Sequence, residues 1–285
     1  MANGYSDYLK FIDEALELAN KVPKYFSKFS NKIYCNHQKM AIYILMQKFK
    51  TTTRGIISIL KSSSDLRIHL GLSRVPVHTT IVRFVNRIKN TINLLLGIKQ
   101  AINVAVDSTG FELESKSYYY RNIQNSDRKQ KTKRYMKLSI VADTDKQLIL
   151  NYKIRKKLRN DTIDFKHLLK ELDIKYVTAD KGYDSYSNRN FVIRKLNAIP
   201  IIPVRSYTNY YGSYWNGRKI SGKNYHQRSK VETIFSVIKR KYGSILRNRS
   251  YATQKVELTS KLIAYNLDRK LNYLLLLVRG LHQSL

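Results

Sequence analysis

Ile102-Asn103-Val104-Ala105-Val106-Asp107-Ser108-Thr109-Gly110 is the stretch on which the reading of the fold turns. Ile102, Val104 and Val106 alternate with Asn103, Ala105 and Asp107, the period of a strand with one apolar face. Asp107 ends that strand, on the face opposite Val106. An acid at the end of an apolar strand faces a costly, partly dry site unless something pairs it.

Toward the C-terminus, Met136 to Ala142 and Leu148 to Ile154 read as strands. The turn Asp143-Thr144-Asp145-Lys146 joins them into a hairpin. Thr162 to Leu172 reads as a helix and Tyr176 to Ala179 as a short strand. Asp180 ends that strand and Lys181-Gly182-Tyr183-Asp184 follows. Asn188 to Leu196 is a helix and Ala198 to Pro203 a strand. A polar, aromatic loop leads to a helix from about Tyr225 and a helical C-terminal stretch. Strands first, then strand–helix alternation, predict an α/β fold with a mixed sheet flanked by helices.

Toward the N-terminus the period is helical. Leu9, Ile12, Leu16 and Ala19 share a face, and Met40 to Phe49 is a second apolar stretch. Thr51 to Thr53 supplies a helix start before Ile56, Ile57 and Leu60. Gly71 and Pro76 punctuate the chain. A helix then runs from about His78 to Ile88, with Val82, Val85 and Ile88 on one side and Arg83, Arg87 and Lys89 off it. Three short helices with a basic last one fit a helix-turn-helix DNA reader. They fit a bundle with a solvated basic face equally well. The expected organisation is a helical region over 1–100, for DNA binding or dimerisation, and a catalytic domain over 101–285.

Composition narrows the partner. The 285 residues hold 53 Lys and Arg against 20 Asp and Glu, a formal net charge of +33. Such an excess self-repels unless a polyanion neutralises it, and nucleic acid does so with release of counterions. An AT-rich genome would enrich Lys, Asn, Ile and Tyr, but it does not make acids scarce. Cys35 is the single cysteine and the six histidines are scattered, so neither a disulfide nor a zinc cluster is expected. Met1 to Lys10 lacks an apolar signal core. Leu274 to Val278 is too short to span a bilayer, which needs about 20 apolar residues, and reads as part of a buried terminal helix. The expected setting is the cytosol of a prokaryote or the nucleus of a eukaryote, with no membrane partner.

Chemistry gathers on the helix near Glu232. At about 100° per residue, Tyr225, Arg228, Glu232 and Lys239 fall within about 60° of one another. Val231, Ile234, Phe235 and Ile238 form an apolar stripe beside that row. Taken alone, Arg228 and Glu232 are an ordinary helix-surface pair worth a few tenths of a kcal/mol. With Asp107 and Asp180 at strand ends, where ligands bind in open α/β sheets, three acids can converge. Three carboxylates packed together raise one another's pKa, and divalent cations remove that penalty. Mg²⁺ prefers oxygen ligands, and two ions about 4 Å apart serve in-line phosphoryl displacement.

Tyr225-x-x-Arg228-x-x-x-Glu232-x-x-x-x-x-x-Lys239 resembles the signature of the DDE transposases of prokaryotic insertion sequences. Val106 to Gly110 and Ala179 to Ser185 resemble that family's other two acidic motifs, and the resemblance covers roughly 100–265. Gly71 to Arg87 also resembles the helical domain that often precedes the catalytic one. The resemblance implies an RNase H-like fold and Asp107, Asp180 and Glu232 as catalytic metal ligands. It implies two Mg²⁺ ions, with Mn²⁺ as a substitute, Asp107 bridging both. Tyr225, Arg228 and Lys239 would grip DNA near the scissile phosphate. The partners implied are terminal inverted repeats, target DNA and a second copy of the chain. The segment between Asp180 and Glu232 is too short for the large β-rich insertion of some relatives.

Other features weigh less. Gly217 to Lys223 has phosphate-loop spacing, but Asn224 stands where Ser or Thr is needed, so no nucleotide cofactor is expected. Trp215, beside Tyr207 to Tyr214, suits packing better than base stacking. Lys219, Lys223 and Lys230 are placed to follow a DNA backbone. The run Arg128 to Lys133 suggests an exposed basic loop. Asp143 and Asp145 suit turn chemistry, and Asp184 a turn or helix start. Two other functions use the same residues: a catalytically inactive DNA-binding protein, and a hydrolytic nuclease that cuts without joining.

Overall fold

The computed structural model describes residues 2–88, 92, 99–114, 135–156, 160–204 and 225–283. The chain divides into two compact units, Met1–Leu96 with Ile238–Leu285, and Gly97–Val237.

The first unit is helical. Helix α1 (Ala2–Ala19) buries Phe11, Ile12, Ala15 and Ala19. Helix α2 (Asn36–Lys48) buries every residue from Met40 to Met46, so it is covered all round rather than on one stripe. Cys35 caps it. The Gln38 amide donates to Cys35 Sγ at 3.4 Å while Gln38 Oε1 accepts from the Cys35 amide at 3.0 Å. Helix α3 (Thr53–Ser62) starts where the threonines predict, with Thr52 Oγ1 accepting from the Gly55 amide at 3.1 Å. A short helix absent from the sequence reading, α4 (Ser64–His69), ends at Gly71, whose φ of +62° suits glycine.

Helix α5 (His78–Arg87) differs in its inner face. Ile81, Phe84, Val85 and Ile88 are buried and Val82 is exposed, because the stripe follows a spacing of three and four from Ile81. Helix α8 (Ser229–Tyr242) crosses into this unit, and α9 (Tyr251–Gln283) packs against α1 and α2. In this division the C-terminal stretch groups with the N-terminal helices. Val256, Leu258, Leu262, Ile263 and Ala264 of α9 are wholly buried there. Leu274 to Val278 lie in α9, and their side chains fall outside the described features.

The second unit carries the sheet. Strands β1 (Asn103–Leu113), β2 (Tyr135–Asp143) and β3 (Ile149–Arg155) form an antiparallel meander. Strands β4 (Tyr176–Ala179) and β5 (Ile199–Ile201) add in parallel, giving the order β3-β2-β1-β4-β5. Helix α6 (Thr162–Leu169) packs on β2 and β3, and α7 (Tyr186–Lys195) on β5. The chain thus has an RNase H-like mixed sheet flanked by helices and preceded by a helical region, as expected. Val104, Val106, Val177, Ala179, Phe165 and Leu168 share one core. α6 stops three residues early, with Glu171 at a φ of +69°. The larger difference is β1. It does not end at Asp107 but runs on to Leu113 against β2, and only its parallel ladder with β4 stops, at Val106.

Candidate active site

The register of two strands builds the site. Val106 pairs with Ala179 in the last rung of the β1/β4 ladder. Both are buried in the same core, so their side chains share a face. Asp107 and Asp180 come next on each strand and therefore turn to the opposite face, on backbones about 4.8 Å apart. Each acid is fixed by the amide after it. Ser108 N–H donates to Asp107 Oδ1 at 2.8 Å, and Lys181 N–H to Asp180 Oδ1 at 2.7 Å.

Glu232 arrives on α8. The segment before it is not the helix start expected at Tyr225, but a 3₁₀ turn, His226–Arg228, which lies against β1 and β4. The tighter turn carries Arg228 to the strand ends, and the α-helix proper begins at Ser229. Val231, Ile234, Phe235 and Ile238 are buried, the stripe the sequence predicts, which leaves Glu232 half exposed beside them. Arg228 then stands between acids. One guanidinium nitrogen lies 2.8 Å from Glu232 Oε1 and 3.9 Å from Asp107 Oδ2. The Tyr225 ring centre is 5.9 Å from the same guanidinium carbon.

The electrostatics follow. Burial pushes the Asp107 carboxyl above its ordinary pKa. The Ser108 amide and Arg228 oppose the shift, while Glu232 and Asp180 add to it. Burial is the largest single effect on Arg228 and weakens its hold on the proton, but Glu232, Tyr225, Asp180 and Asp107 together outweigh it and hold the proton more tightly than usual. Among the described residues no three His, Cys, Asp or Glu side chains stand close enough to hold one ion jointly. The donors are nonetheless hard oxygens at one end of a sheet, with a guanidinium as the local positive charge. They fit a divalent cation in kind.

Other predicted residues are placed as follows. Lys230 is half-buried in the first turn of α8, and Lys239 lies two turns further along. Arg83 and Arg87 are exposed on α5, in the first unit. Lys89, Arg128 to Lys133, Tyr207 to Tyr214, Trp215, Gly217 to Lys223 with Lys219, and Asn224 lie outside the described residues. Asp143 accepts from the amides of Asp145 at 2.7 Å and Lys146 at 3.1 Å, the turn chemistry expected of it. Asp184 is a buried partner of Arg189, 2.7 Å from its Nε.

Sequence reading missed a brace behind Asp107. Ser108 points to the other face of β1, where its hydroxyl donates to Asp161 Oδ1 at 2.8 Å. Lys137, almost fully buried on β2, forms an ion pair with the same oxygen. The amide that orients Asp107 thus belongs to a residue tethered by a fourth carboxylate. Fifty-three residues separate Ser108 from Asp161, so no local spacing announces the pair.

Residues 99–267 match the family described as Transposase DDE domain. No curated protein matches the sequence. A solved structure similar to the chain is that of piggyBac transposase in a synaptic complex with hairpin DNA. It is 10% identical, with 92% of this chain and 73% of that one covered and a TM-score of 0.49. Among the described residues no helix is long and apolar enough to cross a membrane. With the family match spanning more than half of its 285 residues, this chain belongs to the DDE transposases, enzymes that cleave DNA and transfer its strands.

Proposed function

We propose that this is the transposase of a prokaryotic insertion sequence, acting at the element's terminal inverted repeats and then on target DNA, as a homodimer. Asp107, Asp180 and Glu232 are its catalytic carboxylates and would hold two Mg²⁺ ions, or Mn²⁺ in their place. The observation that carries the reading is the rung Val106–Ala179, after which two acids emerge side by side, with Arg228 linking one of them to Glu232. Divalent cations, when bound, activate the attacking oxygen and stabilise the leaving one.

The chain's own residues supply the rest. Ser108 and Lys181 amides fix the planes of the two aspartates, so little reordering is needed to present them. Arg228 neutralises Asp107 and Glu232 and is within reach of a phosphate once those acids find another cation. Tyr225 lies against it and limits its directions. Lys230 and Lys239 on α8 offer further phosphate contacts, as do Lys223 and, on α5, Arg83 and Arg87. The helices α3 to α5 serve as the DNA-binding region.

The test is strand nicking and joining on duplexes that carry the element's end. Asp107→Asn, Asp180→Asn and Glu232→Gln should each lower the rate at least about a thousandfold while leaving DNA binding in EDTA near wild type. An Asp107→Asn protein that still joins strands would overturn the assignment. Cutting without joining by the wild type would favour the hydrolytic nuclease instead.

A further inference from the structure

The segment between α1 and α2 is long for a connection without helix or strand, and loops of that kind usually carry function. It is nevertheless well anchored. The Asn36 amide donates to the Lys24 carbonyl at 2.8 Å, and Asn36 Nδ2 to the Pro23 carbonyl at 2.9 Å. His37 Nε2 lies 2.8 Å from the Val22 carbonyl. Midway, Phe26 packs on Phe84 of α5 with ring centres 6.0 Å apart, and the Lys39 ammonium lies within 5.9 Å of both rings.

The tip beyond Phe26 is a tight turn. Ser30 N–H donates to the Ser27 carbonyl at 3.1 Å, and the Ser30 hydroxyl accepts from the Ser27 amide at 3.1 Å. Lys28 and Phe29 occupy the two central positions. Phe29 is 85% exposed, more than any other large apolar side chain described. Around it Lys21, Lys24, Lys28 and Lys32 are all exposed, and no Asp or Glu occurs between Glu17 and Asp65. Through Phe26 the loop backs onto α5, whose outer face carries the exposed Arg83 and Arg87.

We propose that this loop is a second DNA-contacting surface, in which the lysines grip duplex phosphates and Phe29 inserts between base pairs as a wedge. A ring thrust out of a turn is costly in water, and the contact this one makes is with the Lys28 ammonium of the same turn, 5.1 Å from its centre, which leaves it exposed. One ring falls short of the apolar patch of several hundred Å² that marks a protein interface. It suffices for a wedge, since minor-groove proteins kink DNA with single apolar side chains. The unopposed lysines match the phosphates that flank such a kink. DNA as partner rests on the proposed function, but the wedge does not depend on catalysis.

The test is binding in EDTA, where no strand is cut, to a scrambled-sequence duplex carrying 2-aminopurine at TA steps, which unstack most easily. Wild type should bind and brighten the probe. Phe29→Ala should bind about tenfold more weakly and leave the probe dark even at saturation, while Phe29→Leu restores the signal. Replacing Lys21, Lys24, Lys28 and Lys32 together by Gln should lower the slope of log K against log salt by about 3 to 4. All five side chains are exposed, so circular dichroism melts should match wild type. The wedge is overturned if Phe29→Ala brightens the probe like wild type. It is equally overturned if that variant changes sedimentation of the DNA-free protein, which marks a contact between copies. Loss of binding to phosphatidylserine vesicles with duplex binding intact would mark a membrane contact instead. Loss of nicking by wild type with the wedge signal intact would count against the catalytic reading alone.

Discussion

Asp107 sits at a balance of opposed effects. Burial drives its carboxyl toward the protonated form, the neighbouring acids reinforce that, and Arg228 with the Ser108 amide pulls the other way. A carboxyl must lose its proton before it can hold a metal ion, so the acid limb of the nicking rate should report this balance. Arg228→Gln removes the opposing charge. Asp107 then keeps its proton to higher pH, and the acid limb should move to higher pH in single turnovers at saturating DNA. Arg228→Lys keeps a positive charge and should leave the limb nearer wild type. Identical limbs in all three proteins would show that Arg228 does not govern Asp107. The brace behind the same acid gives a second expectation. Ser108→Ala leaves the Lys137–Asp161 pair intact but unties the residue whose amide orients Asp107. It should slow cleavage about tenfold with little change in DNA affinity, and Ser108→Thr should recover most of the loss.

At the scale of elements, β1 shows both how far sequence carries and where it stops. Alternation from Ile102 to Asp107 is strong because that half of the strand is flanked on both sides, by β2 and β4. Beyond Val106 the β4 pairing ends, burial falls, and the apolar pattern that marks a strand fades although the strand continues. Asp107 is therefore not at a strand end but at the end of a ladder, a distinction only the partner strand makes. The helix carrying Glu232 was legible through its apolar stripe, while the 3₁₀ turn that brings in Arg228 was not. Helix α2 was legible as the apolar stretch from Met40 to Phe49, but not that it is buried all round from Met40 to Gln47 rather than on one face. Asp161 lacked any signal, since its meaning depends on Ser108 across the sheet. The half of β1 beyond Val106 yields its own prediction. A Cβ on Gly110 would stand 2.9 Å from the Tyr135 ring, so Gly110→Ala must push that ring aside. It should cost about 1 to 3 kcal/mol in chemical denaturation. Among the described residues a Cβ on Gly182 would come no nearer than 4.0 Å, to Asp161, and Gly182→Ala should stay within about 0.5 kcal/mol of wild type.

For the molecule as a whole, the consequential fact is that the first unit is assembled from both ends of the chain. The family match, residues 99–267, runs through the second unit and well into α9. Residues 1–96 alone look like a separable helical domain, yet α2 is covered by α1 and by α9, and α9 comes from the other end. Without α9, the surface that Val256, Leu258, Leu262 and Ile263 bury would face water, at about 1.5 to 3 kcal/mol per large side chain. Domain stabilities are themselves only about 5 to 15 kcal/mol, so a few such exposures suffice to unfold the fragment. A polar clasp reinforces the join. Asp268 of α9 is nearly buried and pairs with Lys48 of α2, with Lys241 at 2.5 Å and with the Tyr242 hydroxyl. Asp268→Ala would strand those cations and should lower stability by about 3 to 5 kcal/mol in the intact chain. The fragment 1–96 should accordingly melt without a cooperative transition by circular dichroism. A chain in which residues 238–285 are joined to it by a flexible linker should recover a sigmoidal melt. Cooperative unfolding of 1–96 by itself would mean that α9 is dispensable to the helices it covers.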